Sequence, residues 1–166
     1  MMADALRVVL VDDEELVRSG LRLLLSNAPD IEVVAEASNG WDAVATVLDA
    51  QPDVVLMDIR MPVMDGIAAV EKILSVHAVP IIMLTAFDTD SFILRALRAG
   101  AAGFLLKSTP PESLMAAVRA AAAGQPLLSP QVVDKLVSMQ GPALDDAHSH
   151  HTRTARNRLG ALSSRE

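Results

Sequence analysis

The 166-residue chain has no cysteine, no tyrosine and one tryptophan. Without cysteine there are no disulfides, no thiolate metal ligands and no cysteine nucleophile, which suits a reducing compartment. Aromatics make up only 2%, too few flat rings for stacking recognition of single-stranded nucleic acid. Long apolar runs are missing as well. The opening MMADALRVVLVDDEE offers about six apolar residues before acids arrive, too short for a signal-peptide core. No window approaches the ~18 apolar residues of a membrane span. These absences lead us to expect a soluble cytoplasmic protein with no membrane partner.

What is present is aliphatic. Hydrophobic residues make up 51%, so most of the chain can fold around a core of Val, Leu, Ile, Ala and Met. Charge is placed unevenly. Residues 1–125 carry 9 Lys+Arg and 17 Asp+Glu, a balance of −8, whereas residues 126–166 carry 5 and 4, a balance of +1. The acidic part repels phosphate backbones, so it is not itself a DNA reader.

Short β-rich runs alternate with helical periods over the first 125 residues. The runs are Leu6–Val11, Glu32–Ala37, Val54–Met57, Pro80–Leu84 and Gly103–Leu106. Their continuous apolar character predicts buried strands. Between them, Leu16, Val17, Gly20, Leu21 and Leu24 mark a first helix, and Val44 and Leu48 a second. Ile67, Val70 and Leu74 mark a third, and Ile93, Ala96 and Leu97 a fourth. Leu114, Val118, Ala121 and Ala122 mark a fifth. Gly100 and Gly124 close the last two. Such alternation predicts a doubly wound, flavodoxin-like (βα)5 α/β fold with five parallel strands in the order 2-1-3-4-5. Trp41 is expected to pack helix two. Beyond residue 125, Ser129-Pro130 opens a short C-terminal helix carrying Val133, Leu136 and Val137. A polar linker follows to about residue 160 and includes His148, His150 and His151, read as solvated.

In a parallel α/β sheet, ligands bind beyond the carboxyl ends of the strands. Asp12 and Asp13 follow the first strand, Asp58 the third, Thr85 the fourth and Lys107 the fifth. The predicted strand order puts them on one rim. Three carboxylates together need a cation, and an all-oxygen set suits Mg²⁺. Lys107 and Thr85 can contact phosphoryl oxygens, and a carboxylate can act as the nucleophile, forming an aspartyl phosphate.

Four segments carry a resemblance: VLVDDEE (Val9–Glu15), LMDIRMPVMDG (Leu56–Gly66), MLTA (Met83–Ala86) and GFLLKSTPPE (Gly103–Glu112). Over residues 1–125 the chain resembles the response-regulator receiver domains of two-component signalling. The resemblance implies that Asp58 is the phosphoacceptor, served by a phosphohistidine on a sensor histidine kinase. It implies Mg²⁺ (or Mn²⁺) held by Asp13 and Asp58 directly, by Asp12 through water, and by the backbone carbonyl of Arg60. It makes Lys107 the partner of the phosphoryl group, and Thr85 and Phe104 the switch pair, with Phe104 expected to rotate inward on phosphorylation. On this reading the domain is a signalling acceptor, not an enzyme. Ser108 stands where many members have proline.

The tail, with LSSRE at residues 162–166, resembles the NarL/FixJ group, in which such a segment opens a LuxR-type helix-turn-helix. Residues 126–160 are then helix and linker, and residues 161–166 the opening of a DNA-binding domain whose remainder is absent. Phosphorylation would favour a homodimer, with Ile93, Leu97, Val118 and Arg119 as candidate surface contributors. DNA would be met only through the missing domain. Two other classes compete. A haloacid-dehalogenase-type phosphatase would place its nucleophile after the first strand, at Asp12 or Asp13. A flavodoxin-like flavin site would need a Ser/Thr/Gly-rich phosphate loop where Asp12-Asp13-Glu14-Glu15 stands.

Overall fold

The structure, a computed structural model, describes residues 4–86, 90–125, 127–128 and 134. The chain divides into two units, Met1–Leu128 and Ser129–Glu166. The expected C-terminal helix (Asp134 apart), the linker with its three histidines, and the LSSRE segment lie outside the described residues.

Among the described residues six strands and five helices alternate: β1 (Leu6–Val11), α1 (Glu15–Leu25), β2 (Ile31–Ala37), α2 (Gly40–Ala50), β3 (Val54–Asp58), α3 (Gly66–Val76), β4 (Ile81–Thr85), α4 (Asp90–Ala99), β5 (Gly103–Leu106), α5 (Pro111–Ala122) and β6 (Leu127–Leu128). The sheet order is β2-β1-β3-β4-β5-β6, and every pairing is parallel. The five expected strands thus lie in the expected order. The two-residue β6 adds to the outer edge of β5, a contact too short to leave a periodic signal.

Every residue of β3 and β4 is buried, as a parallel sheet covered on both faces requires. Val8, Leu10, Val54, Leu56, Ile82 and Leu84 form one core with Leu25 of α1 and with Leu114, Val118 and Ala121 of α5. By strand alternation, Val9, Val55, Met57, Ile81 and Met83 face the other side, and α2, α3 and α4 contact one another in sequence.

The helix faces differ in detail from the sequence reading. On α2 the buried residues are Gly40, Ala43 and Val47, and Leu48 is exposed. The small residues let this helix approach the β3–α3 loop: a Cβ on Gly40 would stand 2.2 Å from the Met64 carbonyl oxygen. Trp41 falls off that stripe and is 62% exposed, so it does not pack the helix. Leu16, in the first turn of α1, is 84% exposed rather than inward. Ile93 and Val118 are fully buried core residues and cannot contribute to a surface. Leu97 is half-buried, and Arg119 is exposed in a bidentate pair with Asp30 at 2.7 and 2.9 Å. Gly100 and Gly124 have φ of 111° and 78°, the left-handed conformation of helix-ending glycines.

Candidate functional site

Parallel registration lines up the strand ends. Val11 lies opposite Met57, Asp58 opposite Leu84, and Thr85 opposite Leu106. The next residues along β1 and β5 are Asp12, Asp13 and Lys107, so all five predicted rim residues gather at one edge. Asp12, Asp58 and Thr85 are the buried polar side chains among the described residues. Asp13 is exposed.

Asp12, Asp13 and Asp58 each present a carboxylate oxygen within 4.8 Å of the other two. Such a cluster of hard oxygen donors fits Mg²⁺ or Mn²⁺, which accept few carboxylates and retain water. Lys107 closes the cluster from β5. Its Nζ lies 2.6 Å from Asp12 Oδ2, 3.5 Å from Asp58 Oδ2 and 4.0 Å from Glu14 Oε1. Asp58 Oδ1 accepts from its neighbour's amide, Ile59 N–H, at 2.9 Å.

Burial is the main cause that pushes the Asp58 carboxyl up to about 6; the Asp12 charge adds to it, and Lys107 and the Ile59 amide oppose it. For Lys107, burial is the largest influence and pulls downward. The bonds and charges of Asp12 and Asp58 together outweigh it and hold the ammonium above its ordinary value. The result is a crowded anionic pocket with one fixed cation and one carboxylate that burial makes costly to ionise.

The loops fix these groups. Asp65 caps α3 by accepting from Ala68 N–H at 2.9 Å, and the Gly66 amide donates to the Ile59 carbonyl at 2.7 Å. A Cβ on Gly66 would stand 2.1 Å from the Asp58 carbonyl oxygen. Asp65 thus caps the start of α3 while Gly66 lets the helix close onto the backbone of Asp58. Between them, Val63 has φ of 70°, and Met64 N–H reaches the Pro62 carbonyl at 2.7 Å, a γ-turn. Arg60 is exposed next to this turn.

Thr85 ends β4, and its carbonyl accepts from Lys107 N–H at 2.7 Å. Phe104 pairs with Met83 and is fully buried, already inward in this state. Two residues escaped the sequence reading, Arg18 and Glu36. They form an ion pair at 3.0 Å beside Asp12. They lie 18 positions apart, and no local spacing marks them.

Comparison with known proteins places this arrangement. The profile described as "Response regulator receiver domain" matches residues 8–119. The chain is 41% identical over 152 residues to the uncharacterized transcriptional regulatory protein YxjL of Bacillus subtilis, covering 90% of this chain and 69% of that protein. It is 40% identical to the transcriptional regulatory protein LiaR of the same organism over 152 residues, covering 91% and 72%. Among solved structures it resembles a LuxR-family two-component response regulator from Aurantimonas sp. SI85-9A1, with TM-score 0.77 and 34% identity, covering 82% of this chain and 99% of that one. The receiver domain of the putative response regulator NarL from Mycobacterium tuberculosis matches with TM-score 0.72 and 35% identity, covering 74% and 100%.

Proposed function

The chain belongs to the response-regulator receiver family of two-component signalling, NarL/LuxR type, and on that premise we propose that it accepts a phosphoryl group on Asp58 from a sensor histidine kinase. The observation that carries this reading is the position of Asp58. It ends the central strand β3, with Lys107 at 3.5 Å and two further carboxylates within 4.8 Å.

Asp13 and Asp58 would hold Mg²⁺ (or Mn²⁺) directly and Asp12 through water, with the Arg60 carbonyl as a further ligand. When bound, the ion supplies the positive charge that an incoming phosphoryl group requires. Asp58 acts as the nucleophile through a carboxylate oxygen. The new P–O bond forms as the P–N bond of the donor phosphohistidine breaks, and the imidazole leaves with the bonding pair. Lys107 moves from pairing carboxylates to pairing a phosphoryl oxygen, and the Thr85 hydroxyl donates to another. Burial raises the energy of the Asp58 carboxylate, yet with its pKa at about 6 the group is ionised at neutral pH and available to attack.

The added charge biases a two-state equilibrium. Thr85 draws toward the phosphoryl group and Phe104 holds its inward position, remodelling the surface of α4, β5 and α5. Homodimerisation follows, and DNA binding and transcription are controlled through a C-terminal domain. The domain assists its own phosphorylation and hydrolysis rather than turning over a substrate. No helix among the described residues is long and apolar enough to cross a membrane.

The test is Mg²⁺-dependent labelling with a small phosphodonor such as acetyl phosphate, followed by mass spectrometry. Wild type should gain one phosphoryl group on Asp58, and Asp58→Ala should gain none. Equal labelling of both, or a group on Asp12 or Asp13, would overturn the assignment.

A further inference from the structure

We propose that Arg18 is a positioning residue for the divalent-ion site, setting the direction of Asp13 by clamping the peptide between Asp12 and Asp13. This rests on the proposed metal-binding role of the acidic trio and adds residues outside it.

Asp12 has all of its polar groups engaged. Its N–H donates to the Ala37 carbonyl at 3.1 Å. Its Oδ1 accepts from Glu14 N–H at 2.9 Å, and its Oδ2 pairs with Lys107 at 2.6 Å. Its carbonyl accepts from Arg18 Nη1 at 2.7 Å. That carbonyl and the Asp13 amide belong to one rigid peptide plane. The exposed Asp13 side chain therefore starts from a plane whose orientation Arg18 holds.

Arg18 is itself fixed. Its Nε donates to Glu36 Oε1 at 3.0 Å, and Arg22 pairs with the other oxygen of Glu36. The Arg18 and Glu36 side chains are 16% and 22% exposed, so the pair is largely shielded from water. Glu36 and Ala37 are consecutive residues at the end of β2. One strand end thus anchors both peptides flanking Asp12, one directly and one through Arg18. The start of α1 has no side-chain cap at Glu14, so the arginine supplies a constraint that helix capping does not. The fork of Arg matters, because two nitrogens bond two different partners at once; a lysine ammonium on its flexible stem is not held in that geometry.

The inference is tested by Mn²⁺ binding, followed by electron paramagnetic resonance, on wild type, Arg18→Ala, Arg18→Lys and Glu36→Gln. Val47→Ala, a cavity variant in the core remote from the rim, controls for general loss of stability. Arg18→Ala should weaken Mn²⁺ binding about tenfold, with Arg18→Lys intermediate. Glu36→Gln keeps an acceptor for Nε and should stay within about threefold of wild type, and Val47→Ala should bind like wild type. Undiminished binding by a folded Arg18→Ala would overturn the positioning role alone. A comparable loss in Val47→Ala would overturn it too, by making the effect one of general stability. No Mn²⁺ binding by wild type would overturn the metal reading, and this inference with it.

Discussion

Replacing Asp58 by asparagine should make the metal-free protein more stable. The residue is buried at 7% exposure, and burial lifts its folded-state pKa from 3.8 to about 6. The folded state therefore holds this proton more tightly than the unfolded chain. The stabilisation that protonation brings is fully present below about pH 4 and is lost as pH rises through about 6. At neutral pH the ionised Asp58 opposes folding. A shift of this size corresponds to at most ~3 kcal/mol. Water reaches the open rim and screens the charge, so about half of that, ~1.5 kcal/mol, is the expected effect. Asparagine has nearly the same shape and keeps an oxygen for the Ile59 amide. The attraction to Lys107 that it forfeits is already counted in the net shift. Urea unfolding followed by circular dichroism, in chelator at about pH 7.5, should show Asp58→Asn more stable by ~1.5 kcal/mol, and the gap should narrow as pH falls toward about 5. Magnesium should narrow it as well, by stabilising wild type more than the variant. A variant less stable than wild type at neutral pH in chelator would refute the reasoning.

Other substitutions probe the neighbouring parts. Lys107→Ala leaves the buried Asp12 and Asp58 without their cation; apo stability should fall by about 2 kcal/mol, and added Mg²⁺ should restore more stability than it gives wild type, read as the metal-induced rise in Tm. Gly66→Ala must push α3 away from the Asp58 carbonyl, now 2.1 Å from the added carbon; acetyl-phosphate labelling should slow at least about tenfold. Thr85→Ala should still be labelled on Asp58 but should no longer dimerise on phosphorylation, checked by light scattering. Val63→Gly relieves a β-branched residue at φ of 70° and should raise stability by up to ~1 kcal/mol in urea unfolding.

The strands and the rim were legible because parallel sheets bury both faces, which leaves unbroken apolar runs followed by the polar residues that matter. Asp58 and Thr85 are the last residues of their strands, and Asp12 and Lys107 follow directly on theirs, so finding the strands located the site. Helix faces were less legible. On α2 the inward stripe is Gly40, Ala43 and Val47, and small residues give a weaker periodic signal than Val44 and Leu48. Leu16 and Trp41 are strongly apolar yet exposed, so hydrophobicity alone misdirected them inward. Ile93 and Val118 were offered as surface because their helices flank the switch region; their side chains turn to the sheet. The Arg18–Glu36 pair had no signature, since two ordinary surface-type residues on different elements meet only once β2 lies beside β1. Gly66 closes the LMDIRMPVMDG segment, but its close approach to Asp58 depends on how α3 docks.

The rim is assembled from strand ends that stand far apart along the chain, from Asp12 to Lys107. A short fragment does not bring these groups together, because they hang on four strands whose neighbours in the sheet are separated by whole helices along the chain. On the proposed reading, a histidine kinase would meet an acceptor only after the architecture is complete. Competence to receive a signal would then double as proof of maturity, and a chain stalled on its way to the native state would stay silent instead of sending a false message.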